Sequence, residues 1–177
     1  MAAGLGALGL GVGVLVGGTV VGGLGIALGY ALFADDEPVT AVPEAVEDER
    51  AALLEAAETG DYEALQPFVP TAFEYTFGEP VDGGPIAYWQ TLERTTDERP
   101  LAALAAILKM PYVLSRGYYV WPWAYTVGER ADLSEHEREL LAPLGSPDEL
   151  VLDGTGYLGW RAGFEPDGTW AFFVAGD

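Results

Sequence analysis

Two patterns of hydrophobic and polar positions divide the chain. Residues 1–33, MAAGLGALGLGVGVLVGGTVVGGLGIALGYALF, contain no charged side chain. A membrane-spanning helix needs about 20 apolar residues, and this run exceeds that with room for tilt. It predicts a transmembrane anchor over residues 1–34. Residues 35–42 are acidic, proline-containing and aperiodic, which reads as a linker. From residue 43 to 177 the apolar positions recur with the periods of soluble helices and strands, and this part reads as one domain.

Within that domain PEAVEDERAALLEAAETG places Val46, Leu53, Leu54 and Ala57 among acids, an amphipathic helix closed by Gly60. Asp61 reads as the N-cap of a second short helix, DYEALQPF. FEYTF, residues 73–77, alternates aromatic and polar in the manner of a strand. Helices are expected over PIAYWQTLER, opened by Pro85, and over PLAALAAILKM, opened by Pro100. RGYYVWPWAYTV, residues 116–127, reads as a strand, and Pro122 in its middle argues for a sheet edge or a bulge. LSEHERELLAPLG carries a capping box, Ser134 as N-cap and Glu137 three residues on. The tail predicts a hairpin, GYLGWRAGF and TWAFFVAGD about the turn Glu165-Pro166-Asp167-Gly168. The sum is an α+β domain behind a transmembrane helix: a small antiparallel sheet of about four strands, ending in a hairpin, with several helices packed on one face.

Glycine spacing adds to the reading of the first segment. Gly9, Gly13 and Gly17 fall four apart, as do Gly18 and Gly22, and Gly25 and Gly29. That spacing lays small residues in one helical stripe, the arrangement that lets a second membrane helix approach closely. The expected partners are therefore the lipid bilayer and either another membrane protein or a second copy of this chain. Two rival readings stand beside the anchor: a signal peptide cleaved near Ala31 and Ala34, and a helical hairpin turning at Gly17-Gly18.

Charge narrows the function. The chain has 28 acidic and 8 basic side chains, a net charge of −20, and its one lysine is Lys109. Such a surface excludes nucleic acid, whose phosphates need clustered Lys and Arg, and it repels anionic headgroups. The acidic flank at Asp35-Asp36-Glu37 after a short uncharged N-terminus places the domain outside the cytoplasm, periplasmic or extracellular. No cysteine is present, which excludes disulfides, thiolate chemistry and lipidation at cysteine.

Candidate chemistry is sparse. His136 is the sole histidine, beside acids in the first turn of a capped helix, so neither a triad nor a multi-histidine metal site fits one chain. Glu74 and Asp153 are the carboxylates closest to strands, with nothing to bring them together. Asp35-Asp36-Glu37 and Asp148-Glu149 lack the alternation of a calcium loop. No metal or cofactor is expected, and the domain is expected to be non-catalytic.

The aromatic stretches offer a surface instead. Tyr119, Trp121, Trp123 and Tyr125 would share one strand face, with Tyr118 and Val120 on the other. Arg161 lies between Gly159 and Gly163, so its guanidinium stands on an otherwise bare face, ready to hold an acid or stack on a ring. Tyr119, Trp121, Trp123, Trp160 and Arg161 are the candidate pocket or partner surface.

The run AALLEAAETGDYEALQPFVPTAFEYTFGEP, followed by GPIAYWQTL, resembles the opening of nuclear transport factor 2-like domains, which include the SnoaL-like proteins. Gly60, Asp61, Tyr62, Leu65, Phe73, Tyr75 and Phe77 carry the resemblance. It implies a cone-shaped α+β fold and a small-molecule pocket lined by aromatics. The chain departs from that pattern in its helical stretches 100–110 and 133–150, and the histidine and aspartate of the enzymatic members have no match. A membrane-anchored accessory subunit is the leading expectation, and a small-molecule-binding domain the alternative.

Overall fold

The computed structural model describes residues 41–176. The expected anchor over 1–34, with Gly9, Gly13, Gly17, Gly18, Gly22, Gly25 and Gly29, lies outside them, as does the linker up to residue 40. Among the described residues no helix is long and apolar enough to cross a membrane.

Helix α1 spans Glu44–Glu58, with Glu44 and Glu47 in its first turn, where the helix dipole favours acids. Its buried stripe is Val46, Leu53 and Ala57. Asp61 caps the next segment as expected, its carboxylate accepting from the Glu63 N–H at 3.0 Å. That segment, Tyr62–Phe68, winds as a 3₁₀ helix with Pro67 inside it. Tyr62 is buried there and its hydroxyl donates to Glu93 at 2.5 Å. Helices α2, Gly84–Thr95, and α3, Pro100–Ile107, both begin with a proline in the first turn, whose missing N–H has no partner in a helix anyway.

The sheet is antiparallel, four-stranded and ordered β1-β2-β5-β6, with β1 Val113–Ser115, β2 Tyr118–Trp121, β5 Arg161–Phe164 and β6 Trp170–Val174. Two further two-residue strands, β3 Val151–Leu152 and β4 Gly156–Tyr157, pair with each other alone. The architecture is α+β, as the pattern predicts. The β5–β6 hairpin turns at Glu165-Pro166-Asp167-Gly168, closed by Gly168 N–H to Glu165 O at 3.0 Å.

Three strand expectations are corrected. The stretch 116–127 is not one strand: β2 ends at Trp121, and residues Trp123–Thr126 form a 3₁₀ turn. Pro122 has no N–H to extend the ladder, so it terminates β2 rather than marking an edge. Indeed β2 is interior, flanked by β1 and β5. FEYTF contributes only one bridging residue, Glu74, parallel to Phe172. The Glu74 N–H donates to Ala171 O at 3.2 Å and its carbonyl accepts from Phe173 at 2.9 Å. Tyr75 turns inward, its hydroxyl accepting from the Val81 N–H at 2.9 Å, and this draws the following chain away from β6.

The main core lies between the helices and one sheet face. Trp89 of α2 meets Phe173 edge-on at 5.3 Å between centroids, and Trp170 at 5.9 Å. Leu53, Leu65, Leu104, Ile107 and Phe164 are fully buried around them. A second, smaller cluster gathers Ala124, Leu133, Leu141, Val151 and Tyr157 under helix α4, Glu135–Leu141. Both halves of the capping box are present: Ser134 Oγ accepts from the Glu137 N–H at 3.3 Å, and Glu137 accepts from the Ser134 N–H at 2.8 Å. A one-turn helix, α5 Pro147–Leu150, leads into β3.

Candidate functional site

Alternation along the strands sorts the aromatics onto two faces. Tyr119, Trp121, Ala162, Phe164, Trp170 and Phe173 face the helices and belong to the main core. Tyr119 is 4 % exposed and Trp121 3 %, with Tyr112 beside both, at 5.8 and 5.3 Å between centroids. Two of the expected surface residues are therefore interior. Trp160 is also interior, stacked on Phe173 at 4.6 Å, with its indole N–H donating to Glu98 at 2.8 Å. Trp123, turned away after Pro122, packs against the second cluster and donates its indole N–H to Glu137 at 3.1 Å. Of the five expected surface residues, Arg161 alone stands on the open side of the sheet.

Burial by itself would raise the Glu137 carboxyl. The Ser134 hydroxyl and N–H and the Trp123 indole outweigh that and hold it below its ordinary value. Glu137 is thus a structural acid that ties the 3₁₀ turn to α4. Burial pushes the Tyr157 hydroxyl well above its ordinary value. That hydroxyl donates to the Trp160 carbonyl at 3.0 Å and occupies the space where Gly159 lacks a Cβ.

The outer face is a different surface. The register places Val120, Gly163 and Phe172 in one row across β2, β5 and β6, with Tyr118 and Arg161 to either side. Gly163 makes room here: a Cβ on it would lie 2.1 Å from the tip of the Phe172 ring. The Phe172 ring therefore reaches over β5 at Gly163, and Tyr118 meets it edge-on at 5.6 Å. Arg161 sits over Phe77 at 5.3 Å and Tyr125 at 5.6 Å, both within cation–π range. Its guanidinium also donates to the Gly176 carbonyl at 2.7 Å. Phe77 is 50 % exposed.

A groove of about 460 Å³ opens beside this platform, between residues 71–80 and the ends of β2 and β6. Its walls include Glu74, Glu165, Tyr118, Phe172, Thr71 and Thr76. Among the described residues, neither Glu74 nor Glu165 has a side-chain hydrogen bond or ion pair. A smaller hollow of about 200 Å³ adjoins it, shared by Glu74, Tyr118, Phe172, Tyr125 and Arg116.

The other chemical candidates fall elsewhere. Asp153, the other carboxylate singled out with Glu74, lies between β3 and β4 and is engaged by Arg130, at 2.6 Å to the guanidinium and 2.9 Å to the N–H. Those two bonds hold its carboxyl down at about 2. The structure instead brings Glu74 to the same groove as Glu165. His136 is exposed on α4, 4.0 Å from Glu139. Among the described residues no group of three or more His, Asp or Glu gathers as metal ligands would.

Sequence reasoning missed Phe172, Phe77 and Glu165 as members of one surface. The available signal was Gly163, two residues from Arg161: the space it leaves is the space that the Phe172 ring fills, while Tyr157 fills the space at Gly159. Compared with protein-family models, curated proteins and solved structures, the chain matches none.

Proposed function

We propose that this chain is a membrane-anchored, non-catalytic accessory subunit, whose domain engages a partner protein through the outer face of its sheet. The observation that carries the reading is the contrast in how aromatics are used. Tyr119, Trp121 and Trp160 are consumed by the core, whereas on the outer face Phe77 and Tyr125 flank Arg161 and Tyr118 pairs with Phe172 beside them. Partly open rings with an arginine among them are the composition of protein-contact hot spots. The uncharged run over residues 1–33 supports the anchor, and the four-residue glycine spacing supports a second contact within the membrane. The acidic flank at residues 35–37 favours a periplasmic or extracellular domain.

The second reading, a small-molecule-binding domain, is favoured by the groove itself. Its volume of about 460 Å³ falls within the range of ligand pockets. Its two carboxylates and open form suit a contact with a polymer better than enclosure of a small apolar molecule.

The test is purification of the full chain from its native membrane in gentle detergent, with mass spectrometry of what accompanies it. The expected result is one stoichiometric membrane protein, released by Gly13→Leu or Gly17→Leu. A chain that emerges alone, or lacking its first 34 residues, overturns the reading.

A further inference from the structure

The groove beside the outer face has a definite electrostatic character. Two carboxylates, Glu74 and Glu165, line it with no partner among the described residues. Most of the basic side chains are already engaged: Arg50 with Glu47, Lys109 with Glu58, Arg130 with Asp153 and Arg138 with Asp148. Arg94 and Arg99 donate to carbonyls of their own segments. On a chain of net charge −20 these two acids form no ion pair among the described residues, and Arg116, which lines the small hollow with Glu74, makes none with either.

The walls between those acids are aromatic. Phe172, given room by Gly163, and Tyr118 both line the same groove. On this face, a few residues away, Arg161 already shows what such rings accept: a guanidinium over Phe77 and Tyr125. A planar cation stacks on a ring and pairs in fork fashion with a carboxylate, and arginine does both.

The backbone along the groove supplies the third element. Glu74 spends its N–H and carbonyl on β6. Phe73 and Tyr75 on either side of it make no backbone–backbone hydrogen bond among the described residues. Unpaired backbone of this kind receives an extended peptide as an added strand.

We propose that the groove binds an extended, arginine-bearing segment of a partner protein, with one guanidinium held between Glu74 and Glu165 and stacked on Phe172 or Tyr118. This deepens the accessory-subunit reading and rests on it for the existence of a protein partner. Arg116, at the rim of the adjoining hollow, sets the direction. Its charge repels a cation at that end and favours the Glu165 end.

The experiment uses the full chain in detergent and a fluorescein-labelled, doubly capped peptide alternating arginine and threonine, read by fluorescence anisotropy. Binding is expected to weaken about tenfold in the double variant Glu74→Gln, Glu165→Gln, because both charge-assisted contacts are removed. The variant Asp48→Asn, Glu55→Gln makes the same change of net charge on α1 and is expected to bind as the parent does. Arg116→Ala is expected to tighten binding about two- to threefold. Phe172→Leu, a mild change in shape, keeps the test alive should the carboxylate variants misfold, and is expected to weaken binding severalfold.

Equal loss in the two double variants overturns the proposal, since binding would then follow the diffuse acidic field. So does no measurable binding of the peptide. Free arginine amide binding as tightly as the peptide overturns the polypeptide occupant. Native purification of Glu74→Gln, Glu165→Gln separates the two readings. A partner that still accompanies this variant leaves the accessory reading intact and removes the groove from it. Absence of any partner from the parent chain defeats the accessory reading, while the peptide result stands by its own outcome.

Discussion

On the inner face of the sheet Tyr119, Trp121, Phe164, Trp170 and Phe173 meet three helices and are almost completely buried. On the outer face Phe77 and Tyr125 flank one arginine, Tyr118 and Phe172 pair beside them, and all four remain partly open. Both faces use the same residue types, and the difference lies in what is laid over them. Burial of a ring between packed elements contributes mostly through apolar area removed from water and through dispersion attraction to the atoms around it. A ring on an open face contributes less to folding and remains available to touch something else. The inner face therefore carries most of the stability, and the outer face is the part we propose for recognition.

The largest effect that can sharpen this comparison is Phe173→Ala. It empties a site packed by Trp89, Trp160 and Trp170, and should destabilise the domain by about 3–5 kcal/mol in denaturant unfolding. Its neighbour Phe172→Ala should cost about 1 kcal/mol or less, since the ring is only partly covered. Equal losses for the pair would break the distinction between faces.

Gly163→Ala comes next. The added methyl meets the Phe172 ring at 2.1 Å, so that ring must swing off β5. A loss of about 1–2 kcal/mol is expected, with intact inner-face packing by near-ultraviolet circular dichroism. Because the displaced ring belongs to the groove, the recognition surface should suffer more than the fold.

A fourth variant acts on neither face. Glu137 has its carboxyl held below the ordinary 4.5. A lowered folded-state pKa contributes stability above the ordinary carboxylate range, and that contribution is lost as the pH falls through the depressed value. Glu137→Gln keeps a capping geometry but removes the titration. It should cost up to about 1 kcal/mol at neutral pH and flatten the acid limb of the stability profile. Groove binding should not change, and a change would tie the second cluster to the outer face.

The smallest effect is expected for Phe77→Ala. At half exposure its removal should shift stability by about 0.5 kcal/mol or less. What it takes away is one of the two rings over Arg161.

Much of the scaffold is legible in local chemistry. The capping box at Ser134 and Glu137, the prolines opening α2 and α3, the Asp61 cap and the Pro-Asp-Gly turn all form where their residues stand. Each is decided by atoms within a few residues of one another, and sequence carries that information directly. The candidate site was legible only at Arg161, through its flanking glycines. The aromatic stretch 116–127 misleads because its alternation continues past Pro122, whereas a strand cannot, and two of the rings turn elsewhere. The pair β3–β4 is two residues long on each side, too short for a period to register.

The sequence by itself determined the α+β class, the helix starts, the terminal hairpin and the excess of negative charge. Only the tertiary structure decided which face of each strand the helices cover. It also decided that Phe172 lies over Gly163, and that Glu74 and Glu165, 91 positions apart, line one groove. The turn at Gly168 shows the division at a single residue. Its left-handed φ of 95° follows from a local turn that favours glycine. That a Cβ there would also lie 2.7 Å from the Ala45 carbonyl of α1 follows from packing alone. Local preferences are set by neighbours in the chain, while faces, grooves and close approaches are set by elements that meet only after folding.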